Sequence, residues 1–379
     1  MVKLSAIFLF IYFLHYQVSN LILLRDDARV LISFYFLMIL TLSFLLISSR
    51  RLSVFSPFFL FSFLFYSYVP FLEYVNDVVY VSDIQFSDDD YFRSNMLILL
   101  VVVVVKVFEF FFNRVRKESY QVEPVGITFK YREILLVFLL SLLCFYLTLY
   151  VNNFDLNGLF FRSVTHGSRF SPVYQVLSNF SRFTLLLLFL SVYFSSCNKA
   201  FKFYLFILIV LCCFPTAMPR YFVALIYIPI IWSLFPFFRK GQNLIIAILI
   251  ALLTAFPLLD KARRINDLND YRFSYSFDFF LAGHFDSYQT LMRVLQQDII
   301  TGGTQLLGNL LFFIPRAHWP EKPFGSGYFM ADMLNYNFLN TSMNYLAEGY
   351  INFGYFGVGV FVVVLLAFMR KVDGLLVRD

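Results

Sequence analysis

Apolar residues in this chain gather into blocks of about 20, the length a helix needs to cross the hydrocarbon core of a bilayer. The blocks predict about ten spanning helices, near 4–24, 30–48, 54–74, 94–112, 134–151, 176–196, 203–219, 221–238, 243–259 and 346–369. No small-residue cleavage site follows the first block, so it reads as a retained helix rather than a signal peptide. No repeat period stands out. Three connections are long: 75–93, 152–175 and about 260–345. The last is far longer than a connector needs, and long loops within compact proteins are usually functional. Its stretch Thr304–Phe313 is too short and too polar to span, and reads as a re-entrant or interfacial helix.

Composition agrees. Of 379 residues, 60% are hydrophobic and 14% charged, with a mean hydropathy of +0.73. Soluble domains run about 45–50% apolar and about 25% charged. An ordinary soluble enzyme, a disordered chain and a nucleic-acid-binding protein are excluded. The net charge of +6 is therefore read as topology. Ten spans put both termini on one side. With the N-terminus inside, 15 of the 30 Lys and Arg residues fall on the inner side, against five acids. Basic residues favour the cytoplasmic face, so both termini are expected there and the three long connections outside. The expected fold is an all-α polytopic membrane protein, a single membrane-embedded domain over 1–379, with its large outer loop before the last helix. The four cysteines form no C-x-x-C pair, so neither a disulfide framework nor a zinc site is expected. There is no Walker loop, G-x-G-x-x-G, H-E-x-x-H or G-x-S-x-G, so ATP-driven transport and zinc or serine hydrolysis have no support. No cofactor and no metal are expected.

The large loop holds the run Phe312 to Gly327, with three prolines and two glycines between Pro315 and Gly327. These residues specify a fixed, non-helical path. Arg316 and Lys322 ride on it. Arg gives bidentate hydrogen bonds to phosphate and Lys a point charge, so a rigid cationic loop at a membrane surface suits anion recognition. An interfacial anchor, with Trp319 in the aromatic belt, is the plainer alternative. Arg220 lies between two spans with almost no loop. Arg162 and Arg169 flank His166 in the second long connection, and Lys261, Arg263 and Arg264 follow the ninth span. Each is a candidate anion contact, and each is also explained by topology or a solvated loop.

Carboxylates supply the other candidates. Asp286 sits in Phe285-Asp286-Ser287-Tyr288 and is either a general base or a helix start. Glu348, at the mouth of the last span, is either an acid/base group or a first-turn residue facing the positive end of the helix dipole. Carboxylate clusters such as Asp26-Asp27 and Asp88-Asp89-Asp90 can hold Mg²⁺ or Mn²⁺. Local ion pairing with Arg25 and Arg29 explains the first more simply, and a solvated loop the second. Lys106 and Glu109 share a helix face at i,i+3 and are expected to form an internal ion pair, unless Lys106 snorkels.

Several of these pieces resemble the Wzy-type O-antigen polymerases of bacterial inner membranes. The resemblance rests on Phe285-Asp286-Ser287-Tyr288, on Gln305 to Arg316, on Trp319-Pro320-Glu321-Lys322-Pro323 with Gly325-Ser326-Gly327, on Glu348 to Gly354, and on the Pro215 to Tyr221 junction. The first half of the chain resembles the family in topology alone. The resemblance implies a GT-C-like glycosyltransferase in the inner membrane, multi-pass, with its active site facing the periplasm. It implies transfer of a growing glycan from undecaprenyl pyrophosphate to the non-reducing end of the next lipid-linked repeat unit. Arg316, Lys322 and Arg220 match basic motif positions of the family. With Arg162, Arg169, Arg264, Trp319 and Asn352 they form the expected pyrophosphate and glycan contacts. Asp286 and Glu348 are the expected acid/base candidates, with Arg316 as electrostatic catalyst. Expected partners are the undecaprenyl-pyrophosphate-linked oligosaccharide, the lipid bilayer and a co-polymerase that regulates chain length, with no nucleic acid. An O-antigen ligase, which uses the same donor, and a lipid-linked oligosaccharide flippase or transporter are the alternatives.

Overall fold

The computed structural model describes residues 25–50, 53–81, 85–115, 128–160, 172–215, 218–254, 257–258 and 279–375. The principal helices are α1 (Ala28–Ser48), α2 (Phe55–Val75, with a π-helical turn at Leu64–Tyr68), α3 (Asp88–Val115), α4 (Tyr131–Val151), α5 (Pro172–Tyr193) and α6 (Lys199–Cys212). They continue with α7 (Arg220–Leu234), α8 (Gly241–Leu253), α9 (Ser287–Gln296), α10 (Thr304–Leu310), α11 (Ser326–Met333) and α12 (Tyr345–Leu375). No strand occurs among the described residues.

Six of these helices, α1 to α5 and α12, are long and apolar enough to cross a membrane, the pattern of a multi-pass membrane protein. Ten spans are not reached among the described residues. The seventh to ninth blocks form α6, α7 and α8, of 14, 15 and 13 residues. At 1.5 Å per residue these are about 20–22 Å long, short of a core about 30 Å thick. Proline sets two of these limits. Pro219 is the N-cap of α7, and Pro236 follows its end and opens a 3₁₀ turn. The first block, 4–24, lies outside the described residues.

The chain forms two compact units. One comprises Met1–Ser49, Ser53–Lys117 and Phe277–Asp379, the other Arg50–Leu52 and Glu118–Ser276. In the first, capping fixes the helix starts. The Asp27 carboxylate accepts the Val30 N–H at 3.1 Å. Asp88, Asp89 and Asp90 occupy the first turn of α3, where the helix dipole favours negative charge, so the triplet is a helix start rather than a loop. Asp27 also pairs with Arg29, as expected, while Arg25 reaches further to Asp77, at 2.6 Å. Phe34, Tyr74, Tyr91 and Tyr288 form one aromatic cluster that joins α1, α2, α3 and α9. A polar chain runs beside it: Tyr288 donates to Asn95 Oδ1 at 2.7 Å, and Asn95 Nδ2 donates to Ser33 Oγ at 2.7 Å. Near the far ends of α1 and α3, Lys106 Nζ lies 2.7 Å from Glu109 Oε2, which also accepts Ser48 Oγ. The expected internal ion pair is present.

The second unit packs α4 to α7 around Leu185, Phe189, Leu205, Ile209, Phe222 and Ile226. Arg182 on α5 donates from Nε to the Cys212 carbonyl at 3.2 Å, so this basic group within a span is held by a helix end.

Candidate functional site

The site is built at the end of the first unit where α9 and α12 begin. Asp286 directly precedes α9 and is only 8% exposed. Its Oδ2 accepts the Ser342 N–H at 3.0 Å, while Oδ1 has no hydrogen-bond partner among the described residues. The neighbouring Ser287 Oγ is buried and likewise has no partner among the described residues. Burial pushes the Asp286 carboxyl above the usual carboxylate range, opposed by the Ser342 hydrogen bonds. Buried polar atoms are nearly always satisfied, so these two mark a place for a water or a substrate group.

Asn344 ties this start to α12. Its Nδ2 donates to the Ser287 carbonyl at 2.6 Å, and its Oδ1 caps α12 by accepting from Leu346 and Ala347. Glu348 follows on the first turn and is half-buried. Its Oε2 accepts Ser326 Oγ, at the start of α11, at 2.8 Å. The 286–287, 326–327 and 341–348 segments are therefore laced together. Thr341 Oγ1 donates to the Gly327 carbonyl at 2.7 Å, and a Cβ on Gly327 would fall 2.2 Å from the Thr341 carbonyl oxygen. Only glycine fits there.

Residues 311–325 form the proline-bearing loop between α10 and α11. Arg316 donates from Nη1 to the Lys322 carbonyl at 2.5 Å and from Nη2 to the Pro323 carbonyl at 3.3 Å. Its guanidinium lies 3.9 Å from the centre of the Phe324 ring. Lys322 Nζ donates to the Phe312 and Ile314 carbonyls at 2.5 and 2.9 Å. The two cations thus clasp their own loop. A guanidinium has five N–H donors and an ammonium three, so each keeps donors to spare. No carboxylate lies within 4.0 Å of either among the described residues.

Asn352 is fully buried. It accepts the Leu306 N–H at 2.8 Å and donates to the Glu348 carbonyl at 2.8 Å, so it joins α10 to α12. Immediately after it, α12 breaks at Phe353 (φ −144°, ψ 25°) and Gly354 (φ 62°, ψ −149°). Trp319 is half-buried within the loop, its backbone N–H donating to the Pro315 carbonyl at 3.2 Å. Asp286, Glu348, Arg316, Lys322, Trp319 and Asn352 all belong to the first unit. Arg220 starts α7 in the second unit, its side chain outside the described set, and Arg162, Arg169 and Arg264 lie outside the described residues.

A second polar cluster is not foreshadowed by any motif. Glu73, fully buried near the end of α2, accepts from the Tyr80 hydroxyl and, at 3.0 Å, from Gln289 Nε2. Gln289 Nε2 also donates to the Val78 carbonyl at 2.8 Å, and its Oε1 accepts the Tyr80 N–H at 3.1 Å. Burial and the adjoining Glu73 push the Tyr80 phenol well up, so it stays a donor. The one sequence signal for this cluster is a carboxylate inside an apolar block, which is costly unless partnered. No family model, no curated protein and no solved structure matches this chain.

Proposed function

We propose that this chain is a membrane glycosyltransferase that polymerises oligosaccharide repeat units carried on undecaprenyl pyrophosphate, in the manner of the Wzy-type O-antigen polymerases it resembles. The observation that carries this reading is the loop of Arg316 and Lys322. It holds two cations with spare donors and no carboxylate within 4.0 Å among the described residues, and it runs straight into Ser326, the partner of Glu348. Cation donors and carboxylates are thus offered from one end of a membrane-embedded bundle.

In the proposed reaction an acceptor sugar hydroxyl attacks the anomeric carbon of the donor glycan. The new C–O bond forms as the bond from that carbon to the pyrophosphate oxygen breaks, and the electron pair leaves with undecaprenyl pyrophosphate. The hydroxyl proton passes to Asp286 or Glu348. Arg316 and Lys322 stabilise the charge that builds on the leaving group, and loss of one such donor costs about 10²–10³ in rate. A single displacement inverts the anomeric centre. The active site is proposed to face the periplasm, with a chain-length-regulating co-polymerase as partner.

One observation favours a second reading, in which the cations are architectural: among the described residues, their hydrogen bonds and ring contact are all with groups of their own loop. The two readings separate in cells lacking this gene. Polymerisation predicts a core-plus-one-repeat lipopolysaccharide band, restored to a ladder by the wild-type gene and not by an Arg316→Ala copy inserted at normal level. Bare core in the deletion points to ligation or flipping instead. A full ladder from Arg316→Ala removes Arg316 from the chemistry.

A further inference from the structure

At the opposite end of α3 and α12 from the carboxylate cluster lies a second site, unrelated to the proposed transfer. A cleft of about 680 Å³ runs between the two helices, walled by Phe108 and Phe112 of α3 and by Val363 and Leu366 of α12. Its α12 wall extends from Val363 to Gly374, about 16 Å of helix. Arg370 and Lys371, both exposed, stand on the same wall toward its end, and the Arg370 guanidinium lies 5.8 Å from the Phe112 ring centre.

Among the described residues, the nearby carboxylates are turned to other partners. Asp373 is buried and accepts the Val54 N–H at 2.8 Å and Ser53 Oγ at 3.0 Å. Glu109 is held by Lys106 and Ser48. The described lining therefore carries two cations, Arg370 and Lys371, and no carboxylate at one end of an apolar slot. Basic pockets between membrane helices hold anionic lipid headgroups.

We infer that this cleft binds an anionic phospholipid, its acyl chain lying along Phe108, Phe112, Val363 and Leu366 and its phosphate on Arg370 and Lys371. A neutral phospholipid would gain the walls but carry no net charge to match the two cations.

The test uses the full-length protein in detergent, incubated with dioleoyl-phosphatidylglycerol or dioleoyl-phosphatidylcholine, and native mass spectrometry to count retained lipid. The expected result is one phosphatidylglycerol retained with a preference of about tenfold or more over phosphatidylcholine. The pair Arg370→Ala and Lys371→Ala should lose the preference, while Arg370→Lys with Lys371→Arg should keep it. Gly374→Leu, at a position where an added Cβ meets nothing within 4 Å, should lower retention of both lipids by narrowing the slot. Equal retention of the two lipids by the wild type overturns the inference, as does an undiminished preference in the double alanine variant. Full competition by the chain-free headgroup glycerophosphoglycerol would make this a soluble-anion site and overturn it too. A doubled mass without lipid would assign the cleft to a second copy of the chain and would equally overturn it.

Discussion

Asp286 has one oxygen bound to a backbone N–H and the other, in a buried setting, without a hydrogen-bond partner among the described residues. Because burial raises its pKa, the folded protein binds that proton more tightly than the unfolded chain does. Its contribution to stability is therefore present at low pH and lost as pH rises through the folded pKa. Asp286→Asn keeps the shape and removes the charge. Thermal unfolding in detergent should show the variant losing less stability than the wild type as pH rises out of the usual carboxylate range, and polymerisation should stop where Asp286, rather than Glu348, is the proton acceptor. Parallel pH profiles would mean that ionised Asp286 is not penalised in the fold. Asn352 also has a packing role, since its amide oxygen accepts one backbone N–H and its nitrogen donates to one backbone carbonyl. Asn352→Ala should cost about 1–3 kcal/mol, read as a lower unfolding temperature. Asp286, Glu348 and Arg316 are legible in the sequence because each is a polar residue in a short, distinctive string. Glu73 is not, because its partners Tyr80 and Gln289 stand 7 and 216 positions away. Only the folded chain brings them together.

The helices show the same division between what is local and what is not. Blocks of apolar residues mark α1 to α5 and α12 closely, since length and composition alone decide whether a helix can span. The seventh to ninth blocks promise longer helices than form, and for the eighth the reason is Pro236, whose ring follows the end of α7 and opens a 3₁₀ turn whatever the hydropathy of the next residues. The break in α12 is also invisible in the sequence, although the glycines that make it stand in plain view. Gly349 and Gly357 are eight residues apart, about 12 Å in a straight helix. In the fold an added Cβ on Gly357 would lie 2.0 Å from the Gly349 carbonyl oxygen, so the break at Phe353 and Gly354 folds one turn onto the next. Gly357→Val should sharply reduce the yield of folded protein, since overpacking of this kind costs about 1–3 kcal/mol. Gly359→Ala, with open space around it, should be tolerated or slightly stabilising. Size-exclusion profiles of the two variants in detergent check this, and identical profiles would contradict the close packing.

For the whole molecule, an all-helical multi-pass membrane architecture follows from composition, and the described residues agree with it. Orientation rests on charge counting alone. That count expects exposed His318 on the outer face and exposed Lys371 on the inner one. A cysteine placed at His318 in a background without native cysteines should react with a membrane-impermeant maleimide in spheroplasts, and one placed at Lys371 only after lysis. The reverse pattern would invert the topology and place the Arg316 loop in the cytoplasm. The central claim, transfer of lipid-linked glycan, is tested most directly with purified components. Wild-type protein in vesicles loaded with undecaprenyl-pyrophosphate-linked repeat units should produce a ladder of polymers and release undecaprenyl pyrophosphate, and Arg316→Ala should do so about 10²–10³ more slowly. Failure of the folded wild-type protein to form any bond between repeat units would contradict it.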